Sequence, residues 1–118
     1  EKIKFLIENK RKVIDASGKT TLRELFALIK QTKLCIGIDS SAQHIASALE
    51  VPTITLYGPG YPETWKPWKN SKAVINDKFC TRCRQHYCVW SYLNKKREYE
   101  CMKSITAEQV LKIVDSQH

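Results

Sequence analysis

Apolar positions along this chain fall into two spacings. Leu22, Leu25, Phe26, Leu28 and Ile29 recur at helical intervals, and Thr21 with Glu24 three residues on has the spacing of a capping box, so the pattern predicts a helix running to about Gln31. Leu34-Cys35-Ile36-Gly37-Ile38 is instead a continuous apolar run, as expected of a parallel strand buried on both faces, and it stops abruptly at Asp39. Ser40 and Ser41 are favoured caps for the next segment, where Ile45, Ala46, Ala48 and Leu49 give a short helix a small-residue apolar face that Pro52 closes. Thr53 to Tyr57 reads as a second buried strand, ended by the breakers Gly58-Pro59-Gly60.

The flanking segments are less regular. Residues 2–8 fit the tail of a helix or a strand equally well, and Lys12 to Asp15 reads as a short strand entering the turn-forming Ala16-Ser17-Gly18-Lys19. Tyr61 to Trp68 is rich in proline and aromatics and reads as an ordered loop, with Trp65 and Trp68 expected as buried anchors in preference to stacking surfaces. Ala73 to Asn76 looks like a last strand. Thr106 and Gln109 repeat the capping-box spacing ahead of Val110, Ile113 and Val114, which predicts a helix from Ile105 to about Val114. Strands alternating with helices imply an α/β fold, a Rossmann-like and mostly parallel sheet with flanking helices.

The chain has 118 residues, enough for one compact domain and too few for two, and it carries no low-complexity tract or repeat. The expectation is a single domain over residues 1–118, with a cysteine-containing loop at about 77–104. It starts at Glu1 within a segment of helical character, as a piece of a longer protein would. No apolar run approaches the ~20 residues of a membrane span, so a cytoplasmic protein is expected. The net charge of +8 favours polyanionic partners. Nucleic acid is disfavoured among these, because Lys and Arg are spread along the chain without a helix-turn-helix, ribonucleoprotein or basic-zipper pattern.

Four of the five cysteines lie between Cys80 and Cys101. Cys80-x2-Cys83-x4-Cys88-x12-Cys101 offers four thiolates to a structural zinc ion, with His86 as an alternative fourth ligand and reduced or disulfide-bonded thiols as the alternative state. Such a staple would hold the basic residues Arg82, Arg84, Lys95, Lys96 and Arg97 where they could meet an anionic glycolipid or membrane surface. Cys35, inside a strand, reads as a small hydrophobe.

Ligands of open parallel sheets bind beyond the carboxyl ends of the strands. Asp39-Ser40-Ser41-Ala42-Gln43-His44 is the most informative segment there: backbone N–H groups at Ser41, Ala42 and Gln43 would open a helix and receive phosphate, with the serine hydroxyls and His44 as further donors. Asp39 would accept hydrogen bonds from sugar hydroxyls or hold the imidazole. Lys19, Thr20 and Thr21 are a second candidate phosphate cradle, although the earlier glycine of a full phosphate-binding loop is missing and a nucleotide triphosphatase is rejected. Gly58 and Gly60 would let backbone approach a ligand.

Asp15-Ala-Ser-Gly-Lys-Thr-Thr-Leu22, Ile36-Gly-Ile-Asp-Ser-Ser-Ala-Gln-His44 and Val51-Pro-Thr-Ile-Thr-Leu-Tyr-Gly-Pro59, in this order, resemble the C-terminal domain of glycosyltransferase family 9. The likeness extends to Trp65, the cysteine loop and Glu100 to Thr106. It implies the donor-binding half of a two-domain GT-B transferase of the heptosyltransferase kind, which binds an ADP-heptose-like sugar and transfers it to a lipopolysaccharide core acceptor. No catalytic metal is implied, and the base would lie in the N-terminal domain, leaving this fragment inactive alone. Diphosphate and sugar contacts would fall to Asp39, Ser40, Ser41 and His44, with Asp39 and His44 as the catalytic pair. Ser41 stands where the family usually has glycine. Such a protein would sit in the cytoplasm, in peripheral contact with the inner membrane. The competing readings are a zinc-stapled interaction module for nucleic acid or protein, and another GT-B enzyme of phosphate sugars such as an epimerase.

Overall fold

The computed structural model describes residues 13–58, 60–75 and 99–116. Three four-residue strands, β1 (Cys35–Ile38), β2 (Thr53–Leu56) and β3 (Ser71–Val74), form a parallel sheet in the order β1-β2-β3. Cys35 pairs with Thr53 and Thr53 with Ser71, while Ile38 pairs with Leu56 and Leu56 with Val74. All three carboxyl ends therefore lie level along one edge. The helices are α1 (Leu22–Gln31), α2 (Ser41–Ala48), the one-turn α3 (Pro62–Trp65), the one-turn α4 (Glu100–Lys103) and α5 (Ala107–Asp115). The α/β class and parallel sheet expected from the pattern are present.

Both capping boxes form. Thr21 Oγ1 accepts from the Glu24 N–H at 3.3 Å while the Glu24 carboxylate accepts from the Thr21 N–H at 2.7 Å. Thr106 and Gln109 do the same at the start of α5. These local bonds satisfy helix N–H groups that have no carbonyl four residues behind them. Helix α2 closes ahead of Pro52: Glu50 takes a left-handed φ of 63° and the Val51 N–H donates to the Ala46 carbonyl at 2.9 Å.

The core joins Ile29 of α1, Ala46 of α2 and Val51, with Leu25, Cys35, Ile45 and Leu49 packed against them. Cys35 thus serves as the small hydrophobe expected, and burial raises its thiol pKa against the opposing effect of a bond from Gln43. Central strand β2 is the buried one: Thr53, Ile54 and Thr55 are fully enclosed. The flanking β1 is not. Its side chains alternate, leaving Ile36 and Ile38 exposed, so the expectation of burial on both faces fails for this strand. It has a strand neighbour on one side only among the described residues, and its apolar run therefore reports composition, not two-sided cover. The apolar stripe of α1 is likewise covered only at Ile29 and, in part, Leu25, while Leu22, Phe26 and Leu28 stay exposed.

Other expectations are corrected. Val13 to Asp15 forms no strand, since no strand among the described residues pairs with it, and Ile14 is almost wholly exposed; Lys12, the start of that expected strand, lies outside the described residues. The third strand begins at Ser71, two residues before the apolar Ala73 and Val74 that suggested it. Residues 62–65 make a helical turn, with Pro62 in the first-turn position where its missing N–H costs nothing. Trp65 and Trp68 are not buried anchors: Pro67 between them is enclosed, and that leaves both indoles outside.

Candidate functional site

Parallel pairing sets the turn after β1 beside the turn after β2. Asp39 leaves the first turn and Tyr57 begins the second. A side chain on Gly60 would come within 3.3 Å of Asp39 Oδ2 and 3.1 Å of Tyr57 Cδ1, so Asp39, Tyr57 and Gly60 form one cluster at the carboxyl edge. Across the same turn, His44 Nε2 lies 4.0 Å from Asp39 Oδ1, an ion-pair distance when the imidazole is protonated. Both side chains are partly exposed. The sequence-derived pair Asp39 and His44 is thus brought together.

Ser40 occupies the N-cap of α2 with extended backbone, yet its hydroxyl makes no capping bond. Ser41 and Ala42 supply the first N–H groups of the helix, which intrahelical geometry leaves without acceptors. Gln43 departs from expectation. Its N–H donates to the Ser40 carbonyl at 3.1 Å, and its side chain turns inward, 1% exposed. There the Thr55 hydroxyl donates to Gln43 Oε1 at 3.2 Å and Gln43 Nε2 donates to Cys35 Sγ at 3.5 Å. Gln43 therefore supports the site from beneath, because a buried amide must find internal partners.

Gly58 is closely packed. A Cβ there would overlap the Met102 side chain and lie 3.6 Å from Cys101 Sγ. The close approach seen at this glycine is packing against α4. Gly60, the other glycine of that turn, is the one that lies beside Asp39.

The second candidate segment stays separate. Ser17 N–H donates to Asp15 Oδ1 at 2.9 Å, and Lys19 N–H closes a turn onto the Ala16 carbonyl at 3.1 Å. The Asp15 carboxyl is held below its ordinary pKa first by Ser17 and, more weakly, by the charge of Lys19. Thr21 spends its hydroxyl on Glu24. No hydrogen bond or ion pair joins Lys19, Thr20 or Thr21 to Asp39–His44 among the described residues.

Tyr57 heads the candidate segment Tyr57-Gly58-Pro59-Gly60 at the second strand's end, but sequence reasoning assigned it no role of its own. It is completely enclosed, its hydroxyl is buried without a hydrogen-bond partner, and its pKa is pushed up to about 12, chiefly by burial and further by the charge of Asp39. The phenol stays protonated at any physiological pH. Its place at a strand end was the only available signal. Of the cysteines, Cys101 is 3% exposed on α4, while Cys80, Cys83 and Cys88, like the alternative ligand His86, lie outside the described residues. No cluster of three metal-ligating side chains occurs among the described residues. No helix among them is long and apolar enough to cross a membrane.

Comparison with known proteins gives this geometry a context. Residues 1–109 match the family model described as glycosyltransferase family 9 (heptosyltransferase). Lipooligosaccharide heptosyltransferase 2 of Campylobacter jejuni is 30% identical over 109 residues, covering 91% of this chain and 33% of that protein. Lipopolysaccharide heptosyltransferase 3 of Escherichia coli is 46% identical over 55 residues, covering 47% of this chain and 16% of that protein. Autotransporter heptosyltransferase TibC of Escherichia coli is 28% identical over 116 residues, covering 88% of this chain and 28% of that protein. The chain thus spans a third or less of the length of these relatives. No solved structure matches it. With the family model spanning nearly the whole sequence and the Asp39–His44 segment set at the carboxyl edge of a parallel sheet, the chain belongs to glycosyltransferase family 9, the heptosyltransferase family.

Proposed function

We propose that the carboxyl edge of this domain holds the diphosphate and sugar of an ADP-heptose-like donor, as the donor half of a GT-B transferase acting on a lipopolysaccharide core acceptor. The observation that carries the reading is the meeting of Asp39 and His44 at 4.0 Å in front of α2, where the Ser40 hydroxyl makes no capping bond. The lipopolysaccharide and lipooligosaccharide in the relatives' names support the acceptor class.

In this reading an acceptor hydroxyl oxygen attacks the anomeric carbon from the face opposite the nucleotide. The bond from that carbon to the diphosphate oxygen breaks, ADP leaves with the electron pair, and the configuration inverts. The acceptor proton passes to a base in the N-terminal domain of the full transferase. Negative charge grows on the departing diphosphate, where the Ser40 hydroxyl, the N–H groups of Ser41 and Ala42, the positive end of the α2 dipole and the His44 imidazole are placed to receive it. Removing one such donor typically costs ~3 kcal/mol of transition-state stabilisation. Asp39 accepts from sugar hydroxyls and orients the imidazole. The Ser41 side chain, in the place of the family's usual glycine, adds bulk beside the diphosphate and so bears on which sugar fits. No metal is needed to balance the charge in this scheme. The enzyme works in the cytoplasm, at the inner face of the membrane.

Calorimetric or NMR titration of ADP, UDP and their sugar conjugates tests the assignment. The adenine series should bind in preference, and His44→Ala should weaken it about tenfold, as loss of a charge-assisted hydrogen bond does. Equal binding by wild type and His44→Ala would remove the site from this edge. Sugar transfer by the chain alone would contradict the placement of the base in another domain.

A further inference from the structure

A second recess lies where the strands begin. Leu34 and Pro52, just ahead of β1 and β2, join Val114 of α5 as apolar walls of a cleft of about 560 Å³. Four residues of strand, roughly 13 Å at 3.3 Å per residue, separate this edge from Asp39. The rim is cationic. Lys33, Lys66 and Lys72 line it, and no carboxylate does among the described residues.

Trp68 completes the lining and is 94% exposed. Its backbone is firmly held. Pro67 is enclosed, the Lys69 N–H donates to Ser47 Oγ at 3.0 Å while the Ser47 hydroxyl donates to the Lys69 carbonyl at 2.9 Å, and the Asn70 carbonyl accepts from the Thr53 N–H at 2.8 Å. The indole is therefore presented by a fixed segment. Ser71, also in the lining, has a buried hydroxyl with no hydrogen-bond partner. Three ammonium groups, an open aromatic face and apolar walls are the complement of an anion attached to an apolar or ring surface. The volume lies in the range of small-ligand sites.

We propose that this amino-edge cleft binds a phosphate-bearing ligand, with the phosphate among Lys33, Lys66 and Lys72 and the attached ring or chain against Trp68. Two sources share that chemistry, a soluble sugar phosphate and the headgroup of an anionic phospholipid. The site is separate from the donor edge and does not depend on the donor assignment. The test titrates the full chain, in a His44→Ala background that weakens the donor edge, with glucose 1-phosphate and separately with phosphatidylcholine vesicles with and without phosphatidylglycerol. Binding is expected in at least one arm, weakened about fivefold by each of Lys33→Gln, Lys66→Gln and Lys72→Gln and further by Trp68→Ala, with ADP-sugar affinity in the His44 wild type unchanged. A response to glucose 1-phosphate assigns a soluble ligand, and one confined to phosphatidylglycerol vesicles assigns the lipid headgroup. Silence in both arms, or a response that these substitutions leave intact, overturns the proposal.

Discussion

Gly37 decides how closely α2 can lie on the sheet. A Cβ at that position would fall 2.6 Å from Gln43 Nε2, and Gln43 cannot swing aside cheaply because Thr55 and Cys35 hold both ends of its amide. Gly37→Ala should therefore lower stability by about 1–3 kcal/mol, read as a drop in melting temperature, through overpacking and a displaced buried amide. Adding Gln43→Ala should relieve the clash, so the double variant loses less than the two single losses together. Strict additivity would show that the contact does not matter. Asp39 and His44 were legible in the sequence because a polar pair at the end of an apolar run marks a strand's carboxyl end. The inward turn of Gln43 was not, since nothing local tells a helix which of its polar side chains faces the sheet. The packing at Gly58 was hidden for a related reason: glycine signals a close approach but does not name what approaches, here Met102.

At the scale of elements, the two capping boxes formed as the spacing foretold, because each uses only bonds within four residues. The Glu24 carboxyl is held below its ordinary value of 4.5, first by the Thr21 N–H and then by its hydroxyl. A depressed folded-state pKa means that the box contributes in full above the unfolded value and is lost as pH falls through the lower folded one. Helix α1 should fray from its N-terminus on that acid limb, and Glu24→Gln, which keeps a neutral acceptor, should remove this site's share of the pH response. Circular dichroism across the acid range checks it, and an unchanged acid limb in the variant would count against the box. Strand limits and the turn at Pro62–Trp65 were less legible. The third strand starts at Ser71 because the register with Thr53 extends pairing beyond the apolar residues, and α3 is too short for periodicity to reveal.

At the scale of the molecule, one expectation is purely chemical. The spacing of Cys80, Cys83, Cys88 and Cys101 leads us to propose a thiolate zinc site, and elemental analysis should find about one zinc per chain. Metal-free protein of unchanged stability would dispose of it. The same scale separates what the sequence determined from what tertiary structure decided. Helix starts, the central buried strand and the polar segment after β1 follow from side-chain spacing and bonds between near neighbours, which any chain with these residues would favour. The meeting of Asp39 with Gly60 and Tyr57, the assignment of Gly58 to α4 packing, the open faces of β1 and α1, and the cationic cleft around Trp68 all depend on which strand ends lie side by side. Parallel pairing brings together residues distant along the chain, and local spacing carries no record of that proximity.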